Sequence, residues 1–232
     1  MTRSGKGTRA IWSVGAIAGI LAAAGFVVRP GGRVARAPRS FSADSQMDKV
    51  TYGRYLVISH DCAGCHGGID PSTSGWLAGV MSPGQIFQIG ACNFQQPNAK
   101  PCFLTRPRNL TPDNTTGLGR YSERQIFNAL RYGLKMEDTP DVAITSTTPG
   151  QGNFPLHPHF LAPPMPWPAW RHMPEADLWA IAAYLHRALK PVVNKVEDSE
   201  GPPDFWASAY TDDKIGTYPA PAFPAATERL PK

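Results

Sequence analysis

Acidic residues are missing from the first 39 positions, no stretch shows strand-like alternation, and only four of the 232 residues are cysteine. Each scarcity excludes something. The first 39 residues hold seven basic side chains (Arg3, Lys6, Arg9, Arg29, Arg33, Arg36, Arg39), so the net charge of +5 belongs to one end; the remainder carries 16 Lys+Arg against 18 Asp+Glu. A basic surface for nucleic acid is therefore not expected on the folded part. With no βαβ pattern in view, a Cys-x-x-Cys pair here lacks the setting of a thioredoxin-like redox motif. Cys92 and Cys102 stand too far apart for the second half of a zinc knuckle.

What is present is Cys62-Ala63-Gly64-Cys65-His66. Two thiols three residues apart can each form a thioether to one porphyrin, and the adjacent imidazole can reach the iron as proximal ligand. The motif predicts one covalent haem c, held by Cys62, Cys65 and His66. It occurs once, so a single haem is expected. Low charge (18%), 24 Pro and 22 Gly predict a loop-rich chain. A haem supplies apolar surface that such a chain otherwise lacks, and its burial offsets part of the loops' conformational entropy.

The N-terminal basic residues bracket an uncharged run from Ala10 to Val28. As a helix these 19 residues would extend about 28 Å, close to a hydrocarbon thickness of roughly 30 Å. A retained signal anchor is preferred over cleavage after Ala37, because Ala35-Arg36-Ala37 lies unusually far from the apolar segment. Basic residues on both flanks leave the positive-inside rule undecided. The haem motif orients the chain, since covalent haem attachment is expected outside a bacterial cytoplasmic membrane. That places the N-terminus in the cytoplasm and the haem domain in the periplasm.

The expected organisation is a cytoplasmic stub with transmembrane helix (1–28), a linker (29–46), a haem domain (47–193) and an extended Pro-rich tail (194–232). The tail either lies on the domain or reaches a partner. A first helix is predicted from about Met47 to Ser59. A second starts at Ser122, where Ser122 and Gln125 make a capping box, and stops at Gly133. A third opens at Pro174-Glu175, carries Leu178, Ile181, Ala182, Leu185 and Leu189 on one stripe, and ends at Pro191. The fold class is mainly α: helices around one haem, with long ordered loops. An oxidising compartment favours a disulfide between Cys92 and Cys102, with two unpaired thiols as the alternative.

A helix entering the attachment motif, a middle helix, a Met-containing loop and a final helix ending in Ala183-Tyr184-Leu185 together resemble a class I c-type cytochrome. Asn109-Leu110-Thr111-Pro112-Asp113, followed by Thr116-Gly117-Leu118-Gly119, resembles the N-L-T-P-D…T-G-x-G signature of cytochrome c subunits of periplasmic alcohol, aldehyde and gluconate dehydrogenases. Gly53-Arg54-Tyr55-Leu56 and Met165-Pro166-Trp167 match that pattern too, and the resemblance spans about residues 48 to 193. Those subunits commonly carry several haems where this chain has one motif. Residues 137 to 158 look like an insertion, and both tails lie outside the pattern.

The resemblance implies Met165 as the sixth iron ligand, presented by the loop Pro163-Pro164-Met165-Pro166. Met173, or His157 and His159, are the alternatives. It also places Arg108 and Asn109 near the haem edge, where either could donate to a propionate. Alternatively, Asn109 to Asp113 is only a turn with a local side-chain cap. Trp167 is expected on or beside the porphyrin, or as plain core.

The expected function is that of an electron carrier with no substrate of its own, exchanging single electrons with redox partner proteins. It would be tethered to the membrane and built into a respiratory, dehydrogenase or photosynthetic complex. Two other classes remain open: a haem enzyme or ligand sensor with an open sixth position, and a mainly structural subunit of a membrane assembly.

Overall fold

The structure is a computed structural model that describes residues 46–68, 70–79, 86–92, 100–216, 218, 220–222 and 224–231. The apolar run 10–28, the possible cleavage site and nearly all of the 29–46 linker lie outside them. Among the described residues no helix is long and apolar enough to cross a membrane.

Two helices cross at the centre. Helix α1 (Gln46–Ser59) and helix α5 (Glu175–Arg187) meet at Gly53, where a β-carbon would stand only 1.9 Å from the Ala180 carbonyl oxygen. Glycine is the residue that lets the backbones approach this closely. Leu56 and Val57 of α1 are buried with Leu178, Ile181, Ala182 and Leu185 of α5, and the Trp76 indole donates to the Tyr184 hydroxyl at 3.1 Å. Gly53→Ala, which in an exposed helix would gain up to about 1 kcal/mol, is expected here to cost about 2–3 kcal/mol of unfolding free energy through overpacking. Denaturant unfolding of the haem-loaded protein checks this, and a neutral or stabilising result would show that the helices have room to part.

Helix α2 (Cys62–His66) is the single turn made by the attachment motif, entered through Asp61 in a left-handed conformation. Helix α3 (Glu123–Tyr132) has the predicted capping box at Ser122 and ends at Gly133 (φ 69°). Its face toward α5 stacks Phe127 on Trp179 with ring centroids 4.5 Å apart, and the Arg124 guanidinium covers that indole. A short α4 (Trp167–Trp170) precedes α5, and a last turn, α6 (Asp212–Ile215), lies in the tail. Helix α5 stops at Arg187, four residues before Pro191, so Leu189 lies beyond it. The ring of Pro191 disfavours helical geometry at the residue before it, which makes an early stop the easier solution.

A two-stranded antiparallel sheet also forms: β1 (Phe87–Gly90) pairs with β2 (Cys102–Thr105), in register Phe87 to Thr105 and Gly90 to Cys102. The Cys92–Cys102 disulfide bridges its loop end, beside the Gly90–Cys102 pair. On the other side of β2, Leu104 and Glu200 exchange both backbone hydrogen bonds, at 2.8 and 2.9 Å, so the chain after α5 docks on the sheet.

The 137–158 segment is ordered around a second small core of Leu134, Ile144 and Phe154. Polar side chains of α3 serve its backbone: Gln125 donates to Thr139 O, Asn128 to Pro140 O and Val142 O, and Tyr132 to Ile144 O. The tail lies on the domain as far as it makes described contacts, with Trp206 buried against Phe103 and the Tyr218 ring beside the Arg131 guanidinium.

Candidate haem-binding site

The end of α1 feeds α2 so that Cys62, Cys65 and His66 follow one another around a single helical turn. Neither thiol is in a disulfide, whereas Cys92 and Cys102 are joined, so no second cysteine pair remains to complete a zinc knuckle. Among the described residues no three His, Cys, Asp or Glu side chains gather as a metal site. Burial, reinforced by the Asp61 carboxylate, pushes the Cys62 thiol up to about 12 and raises that of Cys65. A thioredoxin-type pair works through the opposite shift, toward thiolate.

His66 is oriented by the backbone. Its Nδ1 lies 2.7 Å from the Arg108 carbonyl oxygen, which can only accept, so Nδ1 carries the proton and Nε2 keeps its lone pair. Burial lowers the pKa of the imidazole and the Arg108 contact partly offsets that, which favours the neutral ring that ligates metals. The His66 carbonyl accepts from Gly79 N at 2.7 Å, tying the end of α2 to the returning chain. Two free thiols and one pre-oriented imidazole on one turn form a donor set that fits a covalent haem c.

Met165 is half-buried and packs against the core cluster that includes Ala63, and Met173 does likewise. Two backbone bonds bracket Met165, from its own N–H to Ala162 O and from Trp167 N–H to its carbonyl, each 2.9 Å. His157 is exposed, and His159 sets Nδ1 2.8 Å from Asp138 and Nε2 4.0 Å from Asp204.

The Asn109 amide is consumed within the protein. Its two hydrogens go to Thr116 Oγ1 (3.0 Å) and Val192 O (2.7 Å), while Oδ1 accepts from Thr111 N (3.0 Å) and Thr111 Oγ1 (2.8 Å). Both amide hydrogens are thus engaged inside the protein, and the side chain staples its own turn to the chain after α5. The Arg108 fork turns to that same chain, donating to Val196 O, Glu197 O and Ser199 Oγ. Trp167 is buried over Gly133, where a β-carbon would stand 2.1 Å from the indole, and it stacks on Phe160 and meets Tyr210 edge-on. It thereby forms one wall of a cavity of about 390 Å³ shared with Phe154, Arg171 and Tyr210.

Asp113 caps the same turn, accepting from Thr116 Oγ1 and from the N–H groups of Thr116 and Thr115, and these bonds hold its carboxyl below the usual carboxylate range. A carboxyl lowered in the folded state stabilises above its unfolded pKa of about 4 and loses that contribution as the pH falls through its folded value. Stability measured from pH 6 to 2 should therefore drop more for the natural chain than for Asp113→Asn. Equal slopes would show that the cap contributes nothing.

Sequence reasoning did not find the Arg108 carbonyl or Asn194, whose Nδ2 donates to Ala78 O and whose N–H donates to Thr116 Oγ1. A main-chain acceptor leaves no mark in residue identity.

No protein-family profile matches the chain. Among individual proteins it is similar to the cytochrome c subunit of gluconate 2-dehydrogenase from Pantoea cypripedii, 31% identical over 163 residues, covering 69% of this chain and 28% of that one. It is 26% identical over 154 residues to the cytochrome subunit of fructose dehydrogenase from Gluconobacter japonicus, covering 65% and 23%. With the cytochrome c subunit of quinone alcohol dehydrogenase from Gluconacetobacter polyoxogenes it shares 26% over 171 residues, covering 73% and 27%. The chain thus matches about a quarter of the length of these relatives. Its similarity is to cytochrome c subunits of gluconate, fructose and alcohol dehydrogenases, of which it is a distant relative.

Proposed function

We propose that this chain is a single-haem c-type cytochrome of class I type, tethered to the bacterial cytoplasmic membrane by residues 10–28 with its haem domain in the periplasm, that passes single electrons between redox partner proteins. The observation that carries the reading is the His66 ring, its Nδ1 anchored on the Arg108 carbonyl and its Nε2 left as a donor beside two free thiols. Cys62 and Cys65 would form the thioethers, and His66 Nε2 and Met165 Sδ would ligate the iron. A haem c held in this way supplies a one-electron couple. The protein's part is to hold both ligands, keep water out and leave no coordination position for a substrate. It is therefore read as a carrier and not as an enzyme.

The relatives' names place them in dehydrogenases, which supports a subunit of a larger oxidoreductase complex. The Cys92–Cys102 disulfide suits an oxidising compartment. The test is spectroscopic. Haem-loaded full chain should show a sharp low-spin reduced spectrum, equilibrate one electron with mediators, and bind carbon monoxide poorly. Rapid carbon monoxide binding or efficient peroxide consumption by undamaged protein would replace the carrier with a haem enzyme.

A further inference from the structure

We propose that Arg108 is a positioning residue: residues 196–199, beyond α5, clasp its guanidinium and so hold its carbonyl on His66 Nδ1, which sets the reduction potential. The inference rests on the carrier reading above.

Arg108 is gripped from one side and bonded to His66 on the other. Its Nη1 donates to Val196 O (3.4 Å) and Glu197 O (3.0 Å), its Nη2 donates to Ser199 Oγ (3.2 Å), and the Asp198 carboxylate stands 3.9 Å from Nη1. The side chain is 48% exposed, so the ion pair alone contributes little. The grip comes from the planar fork meeting acceptors that are already fixed.

They are fixed because residues 192–200 are fastened along their length. Val192 O receives Asn109, Asn194 holds Ala78 and Thr116, and Ser199 Oγ lies 2.9 Å from Thr105 Oγ1. Glu200 pairs with Leu104 through the backbone, and Arg106 reaches Glu197 at 2.8 Å and Glu200 at 3.6 Å. Val196 also packs against Gly79, whose N–H holds the His66 carbonyl. The segment after α5 therefore reaches both points at which His66 is tied down. A carbonyl held on Nδ1–H makes the imidazole a stronger donor through Nε2 and favours the oxidised state. Loosening the clasp should raise the potential.

The experiment uses haem-loaded full chain. Arg108→Lys keeps the charge and loses the fork. At a fixed ambient potential its ferric-to-ferrous ratio should fall about threefold, roughly 28 mV at 59 mV per tenfold for one electron. The His66 Nδ1–H should exchange faster with solvent by NMR. Ser199→Ala, which retains the guanidinium, should shift both readouts the same way by less, and decides the matter if Arg108→Lys does not load haem. Arg106→Lys, which loosens residues 197–200 but leaves the Arg108 fork and its carbonyl in place, should lose stability and shift the potential by less than Arg108→Lys. Wild-type potentials and exchange in the Arg108 and Ser199 variants would overturn the clasp and leave the carrier standing, and an Arg106→Lys shift as large as that of Arg108→Lys would also overturn it. If the unmutated protein lacks a low-spin spectrum, the carrier reading fails and the clasp with it.

Discussion

Met165→Ala should turn a protein that ignores imidazole and carbon monoxide into one that binds both, and should lower its reduction potential. Met165 sits half-buried against the core cluster containing Ala63, in a loop braced by hydrogen bonds on both sides. Under the proposed ligation, removal of its thioether would open a coordination position that the small alanine side chain cannot fill, and the pairing of methionine with histidine is the one that raises a haem potential. The measurement is ligand titration followed in the visible spectrum, together with the ferric methionine-to-iron charge-transfer band. That band should vanish in Met165→Ala and persist in Met173→Ala. The reverse pattern would move the sixth ligand to Met173.

Asn109→Ala should be among the most destabilising single changes in the chain, at about 3–5 kcal/mol, because two or more buried groups left unsatisfied cost about 1–3 kcal/mol each. Asn109 is 2% exposed and makes four hydrogen bonds, with Thr111, Thr116 and Val192 as its partners. Asn109→Asp should fail nearly as badly, since a carboxylate cannot donate to Val192 O and would bury a charge. Denaturant unfolding of haem-loaded protein reads the loss directly. Near-normal stability combined with an altered potential would instead put this amide to work on a haem propionate.

The two predictions sit on opposite sides of what residue order could reveal. Met165 was singled out through a family resemblance that rests on local features, its Pro-rich loop and its place ahead of a helix, and its ligation belongs to the proposal. Asn109 was legible as a turn former, yet its strongest partner, Val192, lies 83 residues away. The hairpin escaped notice because four-residue strands are too short for alternation to show, and its other neighbour, Glu200, lies far along the chain. Residues 137–158 read from the sequence only as an insertion. Their order comes from Gln125, Asn128 and Tyr132, three side chains of α3 whose identities say nothing about the loop they satisfy.

By itself the sequence determined that two thiols and an imidazole share one short turn, since Cys62, Cys65 and His66 lie within five residues and their spacing is a local matter. It also determined the helices that begin at capping signals, because the Ser122 and Gln125 cap is made by neighbours in the chain. Only the tertiary structure decided how closely α1 and α5 approach, which depends on Gly53 meeting Ala180 more than a hundred residues later. It alone decided which carbonyl orients His66 and where the fork of Arg108 goes. Those choices belong to backbone atoms that every residue possesses, and only folding selects among them.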